Sequence, residues 1–144
     1  MAELLLIASL AGRRIAFPAS EVEAVVELEG LTPAPRAAAH VAGLSALRSR
    51  VLTVIDGLAA LEFGRSEGKG LNEAIVVPSS GHTYALLVDN VEDVIEASGP
   101  PTPVGAPLGP GWDRVALGMV ETESGLFLLV DPHALIAGSA VRAA

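Results

Sequence analysis

The segment Val22-Glu23-Ala24-Val25-Val26-Glu27 returns as Val91-Glu92-Asp93-Val94-Ile95-Glu96, an offset of 91 − 22 = 69 residues. A second echo runs 75 residues apart: Gly43 stands thirteen residues before Asp56, and Gly118 stands thirteen before Asp131. The apolar runs between them end Val51-Leu52-Thr53-Val54-Ile55-Asp56 and Leu126-Phe127-Leu128-Leu129-Val130-Asp131. One insertion reconciles the two offsets, because the six-residue difference falls where the second copy carries a Pro/Gly stretch. The 144-residue chain therefore reads as one domain made of two similar β-subdomains in tandem, with halves of about 1–71 and 72–144. Units of that size bury too little alone, so each needs the other.

Short apolar runs separated by Gly, Pro, Asn, Asp or Ser predict strands. They fall at Leu4–Leu10, Arg13–Pro18, Ala24–Leu28, Gly43–Leu47, Arg50–Ile55, Asn72–Pro78, Thr83–Asp89, Val94–Ala97, Val115–Glu121 and Leu126–Val130. Ala11-Gly12 and Ser79-Ser80-Gly81 read as hairpin turns, since glycine reaches positive φ without strain. Two short helices are expected, one after Asp56 and one after Asp131. Each aspartate can cap unpaired amides of a first turn, and Pro132 sits where a missing N–H costs nothing. Ser20–Ala24 and Pro35–His40 have room for helical turns. Gly99–Gly111, with five prolines and four glycines, is expected to be a loop.

Composition removes several functions. Hydrophobic residues make up 51% of the chain and charged residues 18%, which favours a folded core over disorder. The formal charge is −8 and Lys69 is the one lysine, so nucleic acid is not an expected partner. With five aromatic residues (Phe17, Phe63, Tyr84, Trp112, Phe127), there is little for base stacking. The absence of cysteine excludes disulfides, thiolate metal sites and a cysteine nucleophile, and fits a reducing cytoplasm. His40, His82 and His133 lack metal-ligand spacing. The apolar stretch from Leu4 to Ala11 has no basic leader and is far short of the roughly 20 residues a spanning helix needs, so membrane insertion is not expected.

No catalytic constellation emerges. Asp56 and Asp131 occupy symmetric positions like paired carboxylates of a small hydrolase, but capping accounts for both. Ser79-Ser80-Gly81-His82 reads as a polar hairpin tip. Gly64-Arg65-Ser66-Glu67-Gly68-Lys69-Gly70 lacks the order of a phosphate-binding loop and reads as a flexible linker. His40 and His133 read as hydrogen-bonded structural histidines. Arg48 and Arg50 stand out as two positive charges on a turn of an acidic chain. Arginine's planar fork pairs bidentately with carboxylates and recurs at interface hot spots.

Around that turn the chain resembles the CheW-like chemotaxis coupling proteins, whose pattern runs near G-V-x-N-L-R-G-x-V-x-P-V-x-D-L. The corresponding residues are Gly43-Leu44-Ser45-Ala46-Leu47-Arg48-Ser49-Arg50-Val51-Leu52-Thr53-Val54-Ile55-Asp56-Gly57. Leu87-Val88-Asp89-Asn90-Val91-Glu92-Asp93-Val94-Ile95 is similar to the family's V-V-D-x-V-x-x-V-L, and the resemblance extends from Leu4 to Ile136. Departures are Ser49 for glycine, Thr53 for proline, Gly57-Leu58 without the usual arginine, and Ala24 for a common glutamate. The resemblance implies a mainly β fold of two intertwined five-stranded SH3-like barrels, with terminal segments open to exchange between the halves. It also implies a cytoplasmic, non-enzymatic adaptor without a cofactor, joining the regulatory domain of a histidine kinase to the cytoplasmic tip of a chemoreceptor. Partner contacts would fall at Val22, Gly43, Arg48, Val51 and Val91. Ser49 and Thr53 keep open a CheW-like module for another sensory kinase pathway or for self-association.

Overall fold

Ala11-Gly12 and Ser80-Gly81 carry positive φ at both residues, 54° and 78° in the first turn and 52° and 84° in the second. That is the two-residue turn whose twist matches antiparallel strands. The turns join β1 (Leu4–Leu10) to β2 (Arg13–Pro18) and β6 (Asn72–Ser79) to β7 (His82–Leu87). The remaining strands are β3 (Ala24–Leu28), β4 (Val41–Leu47), β5 (Arg50–Asp56), β8 (Asn90–Glu96), β9 (Ala116–Thr122) and β10 (Gly125–Val130). Short helices are α1 (Gly57–Ala60), α2 (Pro110–Val115) and α3 (Pro132–Ala137), with a 3-10 turn at Ala19–Glu21. The computed structural model describes residues 3–28, 30–32, 37–47, 49–63 and 72–138. Arg48 and the expected linker at 64–70 lie outside the described residues.

The strands form two five-stranded sheets, ordered β8-β1-β2-β10-β9 and β3-β6-β7-β5-β4. Position by position the orders match, down to one parallel pair in each, β2 with β10 and β7 with β5. Each sheet curls until its edges meet: Ala97 bridges Thr122 across the first, and Thr32 bridges Leu44 across the second. The first barrel takes its β1–β2 hairpin from the start of the chain and β8–β10 from the end. The second barrel takes all five of its strands from the chain between Ala24 and Leu87.

Strands buried on both faces need near-continuous apolar runs, and Leu4–Leu10, Ala74–Val77 and Phe127–Val130 supply them. Along β1, Leu5 and Ile7 point into the first barrel while Leu6, Ala8 and Leu10 point into the seam between barrels. On β6, Ala74 and Val76 fill the second barrel while Ile75 and Val77 face the seam. Among the described residues the seam cluster holds 18 buried residues against seven in each barrel, so the shared core is the largest of the three. At about 1.5–3 kcal/mol per large side chain removed from water, joining the barrels is the dominant source of burial.

Gly43 and Gly118 adopt φ of 154° and 146°. A Cβ on Gly43 would strike the carbonyl oxygen of Thr32, and one on Gly118 would lie 2.6 Å from that of Thr102. The glycine of each copy thus lets a neighbouring segment close onto the sheet, as the Thr32–Leu44 and Thr102–Met119 bridges show. The Pro/Gly stretch departs from the expected loop, because α2 begins at its Pro110. Proline at the first turn costs no amide bond, and the helix inserts Trp112 and Val115 into the seam. Strand β8 starts at Asn90, four residues before the apolar signal, because its exposed edge tolerates Glu92 and Asp93.

Candidate partner-binding surface

Two short crossings carry the chain between barrels. After β2, residues 19–23 lead into β3 of the other sheet, and after β7, residues 88–89 lead into β8. Val22 sits in the first crossing and Val91 just past the second, on β8, and both pack, half-buried, against the seam core. Val22 donates its amide to Ala19 O, and Val91 donates to Glu73 Oε1 at 2.7 Å.

Val51 lies on β5 opposite Ala46 of β4, and it is 68% exposed. Strand alternation puts Leu44, Ala46, Val51 and Thr53 on one side of that hairpin. Gly43 lies buried on the same hairpin, against Thr32, where its part is to permit backbone closure. Arg50 turns back onto its own chain. Its Nη1 donates to Glu23 Oε2 at 2.6 Å, and its Nη2 donates to Glu23 Oε1 at 3.4 Å and to Thr83 Oγ1 at 3.1 Å. The hydrogen bond to Arg50 holds the Glu23 carboxyl below its usual range, and the same bond raises the guanidinium. On the other barrel Arg14 makes the matching pair with Glu92, at 3.1 and 2.8 Å, and stacks over Phe127.

The sequence reading missed a set of exposed apolar residues that the repeat relates in pairs. Val25 and Val94 are 41% and 48% exposed, and Leu126, the counterpart of Val51, is 62% exposed. The 69- and 75-residue offsets map one member of each pair onto the other, so that signal was present in the sequence.

The remaining candidates have structural partners. Asp56 accepts from the amides of Leu58 and Ala59, and Asp131 from that of His133, with identical backbone angles at both caps. His40 is buried with Nε2 2.7 Å from Ile136 O, which fastens α3. His133 lies between Ser79 Oγ and Glu21 Oε1, at 3.0 and 2.6 Å. Arg114 of α2 donates to the carbonyls of Ala60 and Ala134, tying the three helices together. Among the described residues, no group of three or more His, Asp or Glu is placed to hold a metal, and no helix is long and apolar enough to cross a membrane.

A family model described as a CheW-like domain matches residues 4–140. The chain belongs to the CheW-like domain family. A curated relative, chemotaxis protein CheW of Rhizobium meliloti (strain 1021), is 36% identical over 80 residues, covering 54% of this chain and 52% of that protein. The chain thus spans about half the length of the curated relative it matches. The crystal structure of scaffolding protein TtCheW from Thermoanaerobacter tengcongensis aligns with a TM-score of 0.81, covering 96% of this chain and 95% of that one at 21% identity. That likeness carries the fold: two interlocked five-stranded SH3-like barrels.

Proposed function

We propose that this CheW-like chain is a cytoplasmic, non-enzymatic adaptor of chemotaxis-type signalling, coupling the regulatory domain of a histidine kinase to the cytoplasmic tip of a chemoreceptor. The observation that carries the reading is the uncovered β4–β5 face, where Val51 and Leu44 stand exposed beside the family's arginine turn. An apolar patch rimmed by polar residues marks a contact surface. The chemotaxis and scaffolding descriptions of its relatives agree with that use. In this reading Val22, Val51 and Val91 supply apolar contact, Gly43 shapes the hairpin that carries Val51, and Arg48 pairs with a partner carboxylate.

Size-exclusion mixing with the kinase regulatory domain and a receptor cytoplasmic hairpin tests the proposal. A co-eluting complex is expected, and Val51→Asp and Arg48→Glu should each weaken it about tenfold while leaving the fold intact. Failure of the wild-type chain to bind either partner at micromolar concentration would remove the reading. Thr53 pairs with both Leu44 and Tyr84 at the centre of this face. Its departure from the family proline favours, as a second reading, a CheW-like module for another sensory kinase or for self-association. Binding to a non-chemotaxis kinase, or a concentration-dependent dimer, would select that alternative.

A further inference from the structure

Val22 is flanked by two glutamates, and each is held by a different part of the fold. On one side, Glu21 Oε1 meets His133 Nε2 of α3 at 2.6 Å, and the same imidazole reaches Ser79 at the end of β6 through Nδ1 at 3.0 Å. On the other side, Glu23 takes the fork of Arg50 from β5, which also bonds Thr83 of β7. The backbone adds one more tie, from the Glu23 amide to Val76 O at 2.8 Å. Just past the second crossing, on β8, other residues repeat the plan: the Val91 amide is held by Glu73 of β6, and Glu92 is held by Arg14 of β2.

We propose that the Glu21–His133 and Glu23–Arg50 pairs form a double clamp that positions Val22 for its partner, which makes His133 and Arg50 positioning residues and not contact residues. The proposal rests on the reading of Val22 as a partner contact. All four side chains are between 37% and 46% exposed, where ion pairs are screened and add little to global stability. Their positions are more telling than their strength. Both pairs act on the five-residue bridge between barrels, where any shift of one barrel against the other would displace Val22. A bidentate arginine fork fixes direction as well as distance, and the imidazole joins three segments, α3, the crossing and β6. Preorganisation of this kind lowers the ordering cost at docking.

The test uses the full chain with isotope-labelled valine methyls and titration calorimetry against the kinase regulatory domain. In Glu21→Ala/Glu23→Ala the melting temperature should stay within about 4 °C of wild type. The Val22 methyl resonances should shift and broaden, and Kd should rise about three- to tenfold. The exchanged pair Glu23→Arg/Arg50→Glu should recover the wild-type methyl positions and bring Kd back within about twofold, and Glu21→Gln, which keeps an acceptor for the imidazole, should behave like wild type. Unchanged methyl resonances in the double variant would overturn the clamp. So would weaker binding from Arg50→Ala with none from Glu23→Ala, which would make Arg50 itself the contact. If the wild-type chain does not bind the kinase domain, the functional reading fails, and the methyl resonances of the free protein still decide the clamp.

Discussion

The barrel β3-β6-β7-β5-β4 comes from one unbroken stretch of chain between Ala24 and Leu87, whereas β8-β1-β2-β10-β9 is assembled from both ends. Their strand orders, hairpin turns, capped helices and close-approach glycines nevertheless correspond. The comparison teaches that the repeated plan is set by local devices and not by continuity: positive-φ turns, a glycine under a bridging threonine, and an aspartate at each helix start. The cost of the split route is small, because loop-closure entropy grows only logarithmically with length. It bears on order of assembly instead. The continuous barrel has the shorter-range contacts and is expected to form first.

The sharpest way to break the comparison is through the core that both barrels share. Phe17→Ala, which empties a fully buried position in the seam, should cost about 4 kcal/mol, with one calorimetric transition because both barrels lose their common support. Two separated transitions would mean that the barrels are independent. Next in size, Gly43→Ala and Gly118→Ala should each cost about 2–3 kcal/mol from strain and backbone overlap. Chemical denaturation of both variants measures the pair, and a large inequality would show that the glycines are not equivalent.

Cap removal should be smaller. Asp56→Ala and Asp131→Ala are expected to lose about 1 kcal/mol each in urea titrations, with Asp56 the costlier because it accepts from two amides. The smallest effect is read by pH at the Glu23–Arg50 pair. Since Arg50 lowers the folded Glu23 carboxyl below 4.5, its contribution is complete above the unfolded value and disappears as pH falls through the folded one. Glu23→Gln should therefore flatten the acid side of the stability profile, below the ordinary glutamate range.

Much of the fold was readable because strands buried on both faces leave continuous apolar runs, as at Leu4–Leu10 and Phe127–Val130. The start of β8 was hidden by Glu92 and Asp93, whose exposed edge position demands no apolar residue. Helix α2 was hidden because Pro110 and Gly111 locally favour a loop, and the contact of Trp112 with the seam decides otherwise. In the candidate surface, Val22 and Val91 were named by the family resemblance, and the 69-residue repeat relates them to each other. The pairing of Arg50 with Glu23 could not, since its partner lies 27 residues away and local pattern carries no information about that meeting.

The divided first barrel also has a consequence in time. Strands β1 and β2 leave the ribosome before the other eight described strands, yet Ile15 must wait for Leu128, 113 residues later, before β2 gains its parallel neighbour. At about 5–20 residues per second, the nascent hairpin stays without β10 for roughly 6–23 s. During that interval the edge of β2 that will meet β10 has no strand beside it.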